Sequence, residues 1–147
     1  MIEENGIGCY IYNNIMIKLK DILLESDGEE LDILVPRRTE DRLERMIRTY
    51  IRNGNKGDLN LQYLQLTVLP VILKGITVNG DFYCGNNNLT SLENSPRIVN
   101  GTFNCQKNLL TILEGAPESV AYSFYCSYNK LTSLEGSPKS VGTNFVC

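Results

Sequence analysis

From residue 57 onward the apolar positions return at a fixed interval. Reading back from each of the last three cysteines gives units 85–105, 106–126 and 127–147, each of 21 residues. Nine of the 21 columns are identical in all three. They are Asn87/Asn108/Asn129, Leu89/Leu110/Leu131, Thr90/Thr111/Thr132, Leu92/Leu113/Leu134, Glu93/Glu114/Glu135, Pro96/Pro117/Pro138, Val99/Val120/Val141, Phe103/Phe124/Phe145 and Cys105/Cys126/Cys147. Such self-similarity is the mark of a stacked repeat. The pattern continues upstream with slippage. Val78-Asn79-Gly80-Asp81-Phe82-Tyr83-Cys84 matches the segment from Val99 to Cys105, whereas Leu66 to Pro70 and Gly57 to Leu61 match at an offset of 23. The first unit, about 62–84, therefore carries two extra residues, expected in its convex turn, and Leu61 stands where later units have cysteine.

Each column has a physical reading. Phe103-x-Cys105 alternates with the period of a strand, with both side chains inward. Asn108 follows where the chain must turn, and an inward amide there can bond backbone groups that would otherwise be buried unpaired. Leu110 and Leu113 point back inside, Glu114-Gly115-Ala116-Pro117 is a turn, and Val120 closes the coil. Each coil is thus predicted to supply one strand, and equivalent strands to stack in parallel. One coil buries too little to stand alone, so the stack depends on neighbours and on an end piece.

The segment 36–54 reads as that end piece. Thr39 is placed to cap a helix, with Glu40 and Asp41 in its first turn. Leu43, Met46, Ile47, Tyr50 and Ile51 form a single apolar stripe, and Gly54 is a natural stop. Arg38, Arg42, Arg45, Arg48 and Arg52 occupy the other faces. Further upstream, Ile17-Lys18-Leu19 and Ile33-Leu34-Val35 look like short strand or helix pieces around an acidic loop at Asp27–Glu30. Met16 is an alternative start, with residues 1–15 an arm or upstream sequence. The division expected is a 1–35 N-terminal segment, a 36–56 amphipathic capping helix and a 57–147 solenoid of about four strands.

Phe103-x-Cys105-x-x-Asn108-x-Leu110 resembles the leucine-rich-repeat core L-x-L-x-x-N-x-L. The short period, with Leu-Thr-Ser-Leu-Glu followed by Ser-Pro, is similar to the compact bacterial class found in secreted effectors, and to repeats of bacterial and phage proteins. The resemblance covers about 57–147, with Phe and Cys where Leu is usual and Glu where the effectors place Pro. It implies an α/β solenoid with an N-terminal helical cap that binds protein without catalysis, and a partner from a bacterial host, a host enzyme or defence factor that it inhibits.

Composition narrows the chemistry. The chain has no histidine, which removes His-based triads and His-ligated metals, and no residue constellation points to an enzyme or a cofactor. No stretch approaches the roughly 18 apolar residues of a membrane helix, and the acidic start lacks the pattern of a secretory signal. A cytoplasmic protein of a bacterial cell is expected. The net charge of −3 hides a pattern: residues 1–36 carry −6, residues 37–56 carry +4 through six arginines and one lysine against three acids, and residues 57–147 carry −1. The basic block could contact an acidic protein or other anion; nucleic acid is the weaker reading, since no base-reading motif follows.

Cys84, Cys105, Cys126 and Cys147 would form an inward ladder at about 4.8 Å. A row does not suit tetrahedral zinc, and parallel side chains suit a disulfide poorly, so the column reads as small buried hydrophobes in a reducing compartment. The Asn87/Asn108/Asn129 column reads as an internal hydrogen-bonded ladder, and Glu93/Glu114/Glu135 as a solvated turn row. The outward face of the strand row is the expected contact surface: Tyr63, Asp81, Tyr83, Asn86, Asn104, Gln106, Lys107, Tyr125 and Tyr128. Tyrosine gives contact area at low entropy cost beside adaptable small polar groups. A strand at Phe145, Val146 and Cys147 would present an unpaired edge, a candidate surface for self-association.

Overall fold

The computed structural model describes residues 9–12, 15–18 and 42–147. The chain divides into two units, 1–40 and 41–147. In the first, β1 (Cys9–Tyr12) pairs antiparallel with β2 (Ile15–Lys18), Cys9 opposite Lys18 and Tyr12 opposite Ile15. Part of the segment read as an arm is therefore a strand. The acidic loop, Ile33-Leu34-Val35, Arg38 and the Thr39 cap lie outside the described residues.

The second unit is a parallel-strand solenoid of short coils closed at one end by a helix, α1 (Arg42–Arg52). The coils supply β3 (Leu59–Asn60), β4 (Thr77–Val78), β5 (Phe82–Tyr83), β6 (Ile98–Val99), β7 (Phe103–Asn104), β8 (Ser119–Val120), β9 (Phe124–Tyr125), β10 (Ser140–Val141) and β11 (Phe145–Val146). They build two parallel sheets, one in the order β11-β9-β7-β5-β3 and the other β10-β8-β6-β4. The expected row of about four strands is thus a row of five. A second row of four, around the Val78/Val99/Val120/Val141 column, was not expected at all. The 21-residue register is kept from coil to coil: Phe103 pairs with Phe124 and Phe124 with Phe145.

That register stacks like on like. The rings of Phe82, Phe103, Phe124 and Phe145 follow one another at 5.3, 5.2 and 5.1 Å between centroids. Leu89, Leu92, Leu110 and Leu113 are fully buried beside them. The two extra residues of the first unit fall in the convex turn, where a short 3-10 turn spans Val71–Leu73. The helix seats Ile47, fully buried, on the core, with Leu43, Tyr50 and Ile51 partly buried against it. Met46, read as part of that stripe, is 41% exposed instead. Gly54, at φ +77°, stops the helix as expected. The amide of Asn55 donates to the Tyr50 carbonyl and that of Gly54 to the Ile51 carbonyl, the two bonds of a Schellman cap.

Candidate functional site

Two sheets, only one of them with tyrosines facing out, give the solenoid a distinct strand face. Within β5, β7 and β9 the first residue is buried and the second half-exposed, as a two-residue alternation demands. Tyr83, Asn104 and Tyr125 are therefore successive members of one outward column, paired in register.

The inward asparagines leave this face free by serving the backbone. Asn108 donates from Nδ2 to the Cys84 and Cys105 carbonyls, both at 3.0 Å, and its Oδ1 accepts the Leu89 amide at 3.0 Å. Asn129 repeats the pattern one coil on, from Cys105 and Cys126 to the Leu110 amide. Asn87 accepts two amides, those of Leu64 and Leu66. The first coil has Leu64 in place of the asparagine, so its turn is held by the asparagine of the second. Each amide stitches its own coil to the one before it, as the column predicted.

Several expected contact residues also have internal work. Asp81 accepts the Thr102 amide on Oδ1 at 2.7 Å and the Tyr83 hydroxyl on Oδ2 at 2.7 Å. That bond is the main reason the Tyr83 phenol is pushed up to about 12, with burial and the charge of Asp81 adding to it. Asn104 accepts the Gln106 amide at 3.0 Å. Tyr125 stands half-exposed in the same row. Tyr63 and Tyr128 are 74% and 76% exposed, just past the strands, and Lys107 lies 5.9 Å from the Tyr128 ring centroid. Tyr63, Asn86, Lys107 and Tyr128 hold one equivalent corner position in successive coils, all with φ between 54 and 59°.

Of the arginines, Arg42, Arg45, Arg48 and Arg52 are exposed on α1, and Arg48 lies 3.8 Å from Glu44. Glu93, Glu114 and Glu135 are exposed on the turn row. Among the described residues no group of three or more acidic or cysteine side chains is placed to hold a metal ion, and no helix is long and apolar enough to cross a membrane.

The cysteine column corrects the sequence reading. Cys126 and Cys147 are joined by a disulfide, their Cα atoms 4.6 Å apart. That separation, set by the strand spacing, lies within the range a disulfide spans, so the parallel directions of the side chains did not forbid it. Cys84 and Cys105 are buried free thiols. Burial pushes Cys105 up to about 12 and Cys84 well above its ordinary value, with Cys105 as a second cause. The inference of a reducing compartment from an all-thiol column therefore falls.

At the far end of the stack Phe145 is 39% and Val146 38% exposed, whereas Phe124 is fully buried. Leu134 is exposed where its equivalents Leu92 and Leu113 are buried. Among the described residues the edge foreseen at Phe145, Val146 and Cys147 is thus exposed together with Leu134. Comparison with protein-family models, curated proteins and solved structures returned no match to this chain.

Proposed function

We propose that the solenoid is a non-catalytic protein-binding module acting through the outer face of the five-stranded sheet. What supports the reading is the in-register column of Tyr83, Asn104 and Tyr125, bordered by the exposed Tyr63, Lys107 and Tyr128. Tyrosines flanked by small polar groups are the composition of adaptable protein-binding surfaces. The likeness of the repeat to bacterial and phage leucine-rich repeats suggests a bacterial host protein as partner and inhibition as the outcome. A cytoplasmic location belongs to the same proposal, and the Cys126–Cys147 bridge weighs against it, since such bonds persist in oxidising surroundings. The test is capture from a bacterial lysate with wild type beside a Tyr83→Ala/Tyr125→Ala variant. A protein retained by wild type and lost with the variant supports the strand face; equal retention by both removes it.

A second reading, pairing of the Phe145–Val146 edge with a second copy, is favoured by the exposure of Phe145, where the stacked Phe82, Phe103 and Phe124 are fully buried. Light scattering should then give a mass above that of a monomer, falling to the monomer value in Phe145→Lys. A monomeric wild type excludes it.

A further inference from the structure

Besides single positions at Gly57, Gln65 and Gly75, left-handed backbone recurs from coil to coil in two columns of this solenoid, and the two are filled by opposite rules. On the convex turn the column is Asn94, Gly115 and Gly136, with φ of 68, 86 and 80°. Glycine and asparagine are the residues that tolerate this conformation. At Gly115 and Gly136 space demands glycine as well, because an added Cβ would come within 2.5 Å of the preceding coil's backbone. At the strand corner the column is Tyr63, Asn86, Lys107 and Tyr128, with φ of 59, 54, 54 and 59°. Here only the second coil has the residue that the backbone favours. Asn86 shows that asparagine fits the corner, yet three coils carry a long side chain that resists the conformation. The two tyrosines do not repay that cost by packing, being about three-quarters exposed. Exposed side chains kept against backbone preference at recurring positions are the kind of outlier from which a role outside the fold is inferred.

The corner also has a charge of its own. The four segments that carry it, 60–67, 83–90, 104–111 and 125–132, contain no aspartate or glutamate and hold Lys107 and Lys130, in a chain with 17 acids and 14 bases. Resting on the strand-face reading above, we propose that Tyr63, Lys107 and Tyr128 form an anchor ridge for an acidic segment of a partner protein. The tyrosine rings supply apolar contact with phenolic hydroxyls at the tips. Lys107, held beside the Tyr128 ring, receives a carboxylate.

The probe is a displayed library of random peptides of about 12 residues, long enough to span a standard recognition strip, panned on the intact chain. Recovered peptides are expected to be enriched in Asp and Glu. Their affinity should fall more than about tenfold in Tyr63→Asn/Tyr128→Asn and in Lys107→Asn, and the thermal midpoints of these variants should equal or exceed that of wild type, because asparagine suits the corner. The midpoint is the readout that a merely structural role would reverse. Variants that unfold at lower temperature, peptides without carboxylates, peptides that bind the variants as well as wild type, or no recovered peptides each overturn the ridge. Peptides lost with Tyr83→Ala/Tyr125→Ala but kept by the corner variants would sink the ridge and leave the strand face standing. Peptides kept by both, and lost when Arg42, Arg45 and Arg48 become Glu, would remove both in favour of the helix.

Discussion

At the scale of single residues, the asparagine ladder is where substitution should be felt most. Asn108 has 5% exposure and serves two carbonyls and one amide of adjacent coils. Asn108→Ala leaves the Leu89 amide without its acceptor in a dry interior, while the Cys84 and Cys105 carbonyls each keep one donor, from Asn87 and Asn129; an unmet buried group costs about 1–3 kcal/mol. A loss of about 1–3 kcal/mol is expected by urea unfolding. Asn129→Ala should cost less, since that side chain is only partly buried and water can reach the vacated groups. Equal losses at the two positions would contradict this account. Tyr83 offers a pH signature. Its folded-state value is raised from 10.0 to about 12, so the stability linked to it is complete below about pH 10 and is lost as pH rises through about 12. Ultraviolet titration should show Tyr83 ionising about 2 units above an exposed tyrosine, with Tyr50 also raised, chiefly by burial, and Asp81→Asn should bring the Tyr83 value down while leaving Tyr50 where it is. These roles were legible to different degrees. An inward asparagine at a turn has one chemical use, and the pattern named it. That Asp81 caps Thr102 was not legible, because an outward carboxylate looks the same in sequence whether it faces a partner or its own backbone.

At the scale of elements, the helix and the cysteine column respond differently to probing. Ile47 is the only residue of α1 that is fully buried, so Ile47→Ala should cost about 2–5 kcal/mol, whereas Met46→Ala should fall within about 1 kcal/mol. Comparable losses at both would mean that the helix packs differently. The stripe was legible because a period of 3.6 fixes a face; which edge of that face would meet solvent depends on the first coil, and periodicity does not carry that. The four cysteines show the same limit. They are equivalent in the repeat and unequal in the fold. In the native protein at neutral pH, a thiol reagent should leave Cys84 and Cys105 unmodified, because both are buried and held protonated. Cys126 and Cys147 should react only after reduction. Peptide mapping that found Cys105 labelled before denaturation would refute the burial. The second row of strands escaped notice for a further reason. Strands of two residues, such as β6 and β8, leave no alternation to read, and only stacking against an identical neighbour makes them strands.

At the scale of the whole molecule, a solenoid is a line of nearest-neighbour interfaces, so its stability varies along the line. One end of this line is closed by α1, and Leu59, Leu61 and Leu73 beneath it are buried. The coil that ends in β11 has a neighbour on one side only among the described residues, and its Leu134, Phe145 and Val146 are exposed. Hydrogen exchange should therefore report protection highest across the coils of β5 and β7 and lowest across 127–147. The Cys126–Cys147 bond opposes that gradient by closing a loop of about 20 residues, worth roughly 3 kcal/mol in the chain-entropy account. Cys147→Ser should accelerate exchange in 127–147 and leave the coil of Phe82 and Cys84 unchanged, because the bond and the strand pairing it protects both lie at one end. A uniform loss of protection along the stack would instead mean that the coils unfold as one cooperative block. The terminal coil would then be as firmly held as the middle, and the exposure of Phe145 would carry no energetic consequence.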